Sequence, residues 1–392
     1  MKKRVMATGV AAAVTGLAVF AGAGGAANGH ANYRAVCPSA VVAAAHCDAL
    51  VVTDANGNPT ASSAPRPGSY GPAQFRTGYN LSNASATGGS GQTIAIVDAY
   101  DDPNIESDLR VYDNQYGLPP CTTANGCFRK INQSGGTSSP RANSGWALEI
   151  SLDVETAHAI CPNCKILLVE ANSNSLANLG AAVNKAAALG ATVISNSYGG
   201  SEYSSETTDQ ASYFTHPGVP ITASSGDGGY GVEFPAAANT VTAVGGTTLK
   251  LNSDNTYQSE SAWSGSGSGC SAYVAKPSWQ TDAGCAMRTV ADVSADADPN
   301  TGAAVYDSVR YQGQQGWFQV GGTSLAAPLV ASVYALAGNG ATITGSYPYE
   351  HTSALNEVSS GSNGSCGNYL CTAGTGYDGP TGRGSPNGTG GF

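Results

Sequence analysis

The sequence predicts an α/β fold, a mainly parallel central sheet flanked by helices. Two observations carry that prediction. Short β-branched apolar runs recur at 93–100 (TIAIVDAY), 165–171 (KILLVEA), 191–198 (ATVISNSY), 219–226 (VPITASSG) and 240–246 (TVTAVGG), each ending in small or polar residues. Helical patterns stand between several of them, at 146–160 (WALEISLDVETAHAI) and 176–190 (LANLGAAVNKAAALG). Strands that alternate with helices are joined by crossovers, and crossovers leave neighbouring strands parallel. Such a sheet binds ligands beyond the carboxyl ends of its strands. The residues leaving those ends are Asp98, the NSYGG at 196–200 and the SSGDGG at 224–229.

Taken from the N-terminus, a basic MKKR and an apolar run of small residues through Ala31 predict a secretory signal over 1–31. Residues 32–69 read as a short N-terminal or pro segment, merging into a Pro/Ser/Gly-rich linker at 55–75. The main domain is expected over 70–392. Ten cysteines suit an oxidising compartment. They fall as close pairs, 37 with 47, 121 with 127, 161 with 164, 270 with 285 and 366 with 371, which predicts five local loops. CPNC at 161–164 is expected to be a structural disulfide, because no second CxxC or paired histidine accompanies it.

Only 11% of the residues are charged, so few ion pairs are lost when carboxylates protonate. A surface of that kind predicts an extracellular protein tolerant of acid. The net charge of −10 excludes a basic stripe for nucleic acid. No later segment reads as a membrane span, and a monomer is expected.

The chemistry centres on GGTSLAAP at 321–328, where a glycine pair runs into an alanine-rich helix at Thr323 and Ser324. A hydroxyl there serves either as a helix cap or as a nucleophile. A nucleophilic serine needs a base and donors for the oxyanion. None of the five histidines stands in a familiar serine-hydrolase setting, and His158 points away from the acids nearest it. Glu149 and Asp153, four residues apart, share one helix face. Two adjacent acids raise one another's pKa and share a proton, which suits a base working in acid. The bland reading is a surface helix with solvated acids, Glu155 among them.

GGTSLAAP, EISLD at 149–153 and SSGD at 224–227, in their order, resemble signature segments of the sedolisin (serine-carboxyl peptidase) family, over roughly residues 70–392. The resemblance implies a subtilisin-like fold. It implies Ser324 as nucleophile, Glu149 as the acid that takes its proton, and Asp153 as the acid that orients Glu149. Asp227 matches the oxyanion-stabilising aspartate, with the Ser324 amide as a second donor. Asp98 matches the position of the catalytic aspartate of subtilisins and would extend the hydrogen-bond chain behind the glutamate. Asp227 must be protonated and Glu149 ionised, which predicts an acidic window near pH 3–5, from reference carboxylate values of about 4. Ser197, Tyr198, Gly199 and Gly200 resemble the strand that holds an extended peptide.

The tail at 355–388 resembles the family's calcium loop. It implies ligation by Glu357, the carbonyls of Val358, Gly374 and Gly376, and Asp378, with Glu357 where aspartate is usual. The expected substrates are unfolded proteins or peptides. Endopeptidase, tripeptidyl-peptidase and a non-catalytic secreted binding protein are the alternatives. The family commonly carries a long propeptide, whereas few residues separate the expected signal from YGPAQFRTGYNL at 70–81.

Overall fold

The computed structural model describes residues 32–39, 41–343 and 345–392. The expected signal at 1–31 lies outside them. In chain order, three short strands come first, β1 (Asn32–Ala35), β2 (His46–Cys47) and β3 (Leu50–Thr53). There follow β4 (Thr93–Ala99), α1 (Ile105–Tyr116), β5 (Phe128–Asn132), α2 (Ser144–Ile160), β6 (Lys165–Ala171), α3 (Leu176–Ala188) and β7 (Val193–Asn196). The second half holds β8 (Tyr198–Ser201), β9 (Ile221–Ser224), β10 (Glu233–Phe234), β11 (Thr242–Leu251), β12 (Tyr257–Ala262) and β13 (Val293–Asp296). It ends with the hairpin β14 (Ala303–Tyr311) and β15 (Gln314–Gly321), then α4 (Thr323–Ala337).

The main sheet has eight strands, ordered β12-β11-β9-β7-β4-β6-β5, with β13 also on β11. Every pairing in it is parallel except that of β11 with β12. Continuous apolar runs such as IAIV and ILLV suit strands covered on both faces. Residues 94–99 of β4 and 166–171 of β6 are buried throughout. The order of strands reverses beside β4: β5 and β6 lie on one side, β7, β9 and β11 on the other. A crevice forms at such a reversal.

The helices differ in how deeply they sink. In α3 a polar face remains, whereas α2 is buried from Gly145 to Ile160. The helix was open to a surface reading because its hydrophobicity has no face. The structure overturns that reading: β14 packs against the helix. Glu155, expected in solvent, is 1% exposed and accepts the Tyr306 amide at 2.9 Å. All five local disulfides form as the spacing predicts.

The stretch before residue 70 is stitched into the domain. β3 lies between β1 and β15, with Val51 opposite Val320. β2 runs antiparallel to β8, pairing His46 with Gly199 and Cys47 with Tyr198. The linker composition at 55–75 gives way to isolated bridges, Ser62 to Trp317 and Tyr70 to Ala303.

Candidate active site

Four sequence-distant elements converge at the crevice. β4 brings Asp98 near its end, α2 brings Glu149 and Asp153, the turn after β9 brings Asp227, and α4 starts at Thr323. Gly322, at φ 100°, makes the sharp entry into α4, and a Cβ there would collide with the Asp48 carbonyl and the Asp227 carboxylate. Only glycine is at ease in that conformation.

The question of cap or nucleophile resolves against the cap, because the N-cap position is Gly322 and the Thr323 amide goes to Asp227 Oδ1 at 2.7 Å. The Thr323 hydroxyl bonds Asp227 Oδ1 at 3.0 Å and receives the Gly226 amide at 3.1 Å. The Ser324 hydroxyl donates to the Ser197 carbonyl at 3.1 Å. Ser324 is completely buried.

Around it stand acids without cations. Glu149, Asp153 and Asp98 are all 0% exposed. Both carboxylate oxygens of Glu149 and of Asp98, Asp153 Oδ2 and Asp227 Oδ2 have no hydrogen-bond partner. Buried polar atoms are nearly always partnered, so this concentration marks a site. Burial holds Glu149 well above the usual carboxylate range, and Asp153 and Asp98 push it further, while the adjacent Ser324 hydroxyl favours its ionised form. Asp153 is raised by burial and by Asp98, offset by the Ser197 hydroxyl at 2.9 Å. Burial lifts Asp98 to about 8. Asp227 is raised by burial and then by Asp48, against two bonds from Thr323. Such a group shares protons instead of ionising together.

His158 is fully buried with Asp113 and the Pro119 carbonyl, at 3.3 and 2.9 Å. It is a packing histidine, as its direction on the helix predicts.

The strand expected to hold a peptide is already paired. Tyr198 turns its ring into the core, where its hydroxyl bonds Asn196 at 2.7 Å, so only its backbone faces the crevice. Gly199 and Gly200 pair with His46 on one edge and Phe234 on the other. The Ser324 amide donates to the Asp48 carbonyl at 2.9 Å, and the Asp48 amide donates to the Ser197 carbonyl at 3.3 Å. Residues 46–49 therefore lie in the cleft as an extended peptide does, with the Asp48–Ala49 bond over Ser324. The Asp48 side chain is buried against Ser224 at 2.5 Å, with His46 and then Glu233 beyond it, at 3.4 and 3.6 Å. Burial pushes Asp48 up to about 7 and Glu233 up to about 8.

Sequence reasoning missed Asp48, Glu233 and this whole placement. The available signal was LVVT after His46–Cys47, a β-branched run in the short segment before the linker.

The C-terminal loop holds its acids differently. Asp378 Oδ1 receives the Thr381 amide and hydroxyl at 3.0 and 2.8 Å, and Oδ2 receives the Gly374 amide at 3.0 Å. Glu357 receives the Gly376 amide at 2.6 Å, and it raises Asp378, which burial already pushes up to about 6. Two neighbouring carboxylates amid glycine carbonyls form a hard-oxygen donor set that fits a calcium ion.

A sequence profile of the subtilase family matches residues 122–354, more than half of the chain. The chain belongs to the subtilase family. Within it, the chain is similar to sedolisin in sequence and in fold. The chain is 29% identical to sedolisin from Pseudomonas sp. (strain 101) over 359 residues, 81% of this chain. A tripeptidyl-peptidase of Aspergillus fumigatus is 31% identical over 192 residues, covering 40% of this chain and 29% of the relative. The structure of Pseudomonas sedolisin complexed with pseudo-iodotyrostatin superposes with a TM-score of 0.67 at 27% identity, covering 84% of this chain and 96% of that one. This subtilase chain spans 59% of the length of the curated Pseudomonas relative. Among the described residues no helix is long and apolar enough to cross a membrane.

Proposed function

We propose that this chain is a secreted, acid-active serine-carboxyl endopeptidase that cuts unfolded proteins through an acyl-enzyme on Ser324. One observation carries the reading. A buried serine at a helix start sits beside unpartnered acids, and the imidazoles of His46 and His158 are engaged elsewhere.

A substrate would lie where residues 46–49 lie, its carbonyl at the Ser324 amide. Ser324 Oγ attacks the carbonyl carbon while its proton passes to Glu149. Asp153, held by Ser197, and Asp98 behind it set the protonation of Glu149. The new oxyanion takes hydrogen bonds from the Ser324 amide and from protonated Asp227 Oδ2. Collapse expels the amine, which takes the proton from Glu149. Water then attacks the ester, with Glu149 again as base, and Ser324 is restored. Because both Glu149 and Asp227 are raised, both limbs of the active window shift upward from reference carboxylate values.

The form described here reads as latent, since its own backbone fills the cleft. Asp48–Ala49 is then the first bond presented to Ser324. Glu357, Asp378 and the carbonyls of Val358, Gly374 and Gly376 would hold a calcium ion, whose charge would neutralise the two acids and fasten the glycine-rich loop. Five disulfides support an extracellular setting. The peptidase domain would run over 70–392 and the chain would act as a monomer.

The filled cleft also favours a second reading, a non-catalytic binding protein. Both are tested by incubating an unfolded protein with the chain and with Ser324→Ala at pH 4. Loss of hydrolysis in the variant supports the peptidase; equal hydrolysis, or none by either, removes it. Product masses from one long peptide separate internal cutting from the release of tripeptides.

A further inference from the structure

We propose that Asp102, Asp108 and Asp307 form a calcium site on the far side of α2, separate from the C-terminal loop. Asp102 follows β4, Asp108 sits in the first turn of α1, and Asp307 belongs to β14. All three are buried, at 0%, 2% and 0% exposure.

One oxygen from each lies within 4.8 Å of the other two. Oxygens bound to one calcium at about 2.3–2.6 Å are at most about 5 Å apart, and on magnesium about 4.2 Å. Oxygens within 4.8 Å of one another are in reach of a single calcium ion. The remaining lone pairs are fixed by neutral donors: the Asn104 amide and Ser151 on Asp102, Ser107 and the Ser308 amide on Asp108, and the Val309 amide on Asp307. Asp307 Oδ2 receives nothing, although it is fully buried beside the other two carboxylates.

Lys130 does not fill the role. Its ammonium bonds Asp101 at 2.5 Å and the Asp102 carbonyl at 2.7 Å, and it faces Glu170 at 3.4 Å. Three buried carboxylates are thus left facing one another, with Lys130 acting on Asp102 alone, and a divalent ion supplies the missing charge. The ion ties the start of α1 to β14. That strand packs on α2 and pairs with β15, which runs into Ser324. It would brace the catalytic helix from behind.

The test uses the full chain, stripped of metal with EGTA at pH 7.5, with bound calcium counted by equilibrium dialysis. Two ions are expected in the parent, one lost in Asp307→Asn and the other in Asp378→Asn. The metal-free Asp307→Asn protein should melt no lower than the metal-free parent, since one repelling charge is gone, and should gain less from calcium. If Asp307→Asn fails to fold, Asp108→Asn takes its place. One ion lost with Asp307→Asn alone supports this site and removes the C-terminal one. No ion, or a count that neither Asp307→Asn nor Asp108→Asn lowers, overturns the proposal.

Discussion

The acids around Ser324 and those of the C-terminal loop are the same chemical groups under opposite conditions. Asp98 and Glu149 leave both oxygens without a donor, whereas Asp378 takes three hydrogen bonds from Thr381 and Gly374. Wired acids are held in place by the backbone they bond. Unwired, buried acids have only protons and one another to settle their charge, so their protonation is free to change during a reaction. The contrast assigns chemistry to the first group and architecture to the second, and substitution should separate them.

The largest expected effect is at the serine. Ser324→Ala should lower kcat for an unfolded substrate by about four to six orders of magnitude, measured at pH 4. The same variant should keep the Asp48–Ala49 bond whole by intact mass, while the parent becomes nicked in acid. Glu149→Gln should follow, with a loss of about 10²–10⁴-fold and a normal circular dichroism spectrum, because a base is removed from a neutral-tolerant pocket. Activity within tenfold of the parent would place the base elsewhere.

Asp48→Asn should be smaller and of a different kind. Asp48, itself pushed up to about 7, carries its charge only as pH climbs towards that value, where it raises both Glu149 and Asp227, so its removal should move the alkaline limb of the pH profile towards acid and leave the acid limb in place. A shift towards alkali would break the proposed coupling. Glu357→Ala, on the wired side, should lower Tm by a few degrees, on the order of 2–4 °C per kcal/mol, and leave kcat unchanged.

The unwired acids also set how stability depends on pH. Asp98 and Glu233 are both raised to about 8 from 3.8 and 4.5. Between those limits the folded chain binds more protons than the unfolded one. Stability is therefore greatest below about pH 4 for these groups and falls as pH rises towards 8. Calorimetry from pH 4 to 8 without calcium should show a declining Tm; a rise would mean other groups dominate.

Much of this was legible in the sequence because the signals are local. β-branched runs gave the strands of the main sheet, cysteine spacing gave the disulfides, and four-residue spacing put Glu149 and Asp153 on one face. What stayed hidden depends on distant parts of the chain. Glu155 reads as solvated until β14, distant in the chain, packs on α2 and gives it the Tyr306 amide. Asp48 reads as part of a short N-terminal or pro segment because its meaning comes from Ser197 and Ser324, far along the chain. The three aspartates at 102, 108 and 307 come together only when β14 lies beside the start of α1.

The measurement closest to the centre of this account is the pH–rate profile of the parent and Asp227→Asn on an unfolded protein, from pH 2 to 9. The parent should give a bell confined to acid. The amide variant, a hydrogen-bond donor at every pH, should lose the alkaline limb and stay active at higher pH. A parent profile peaking near pH 8, or a limb left in place by Asp227→Asn, would contradict it.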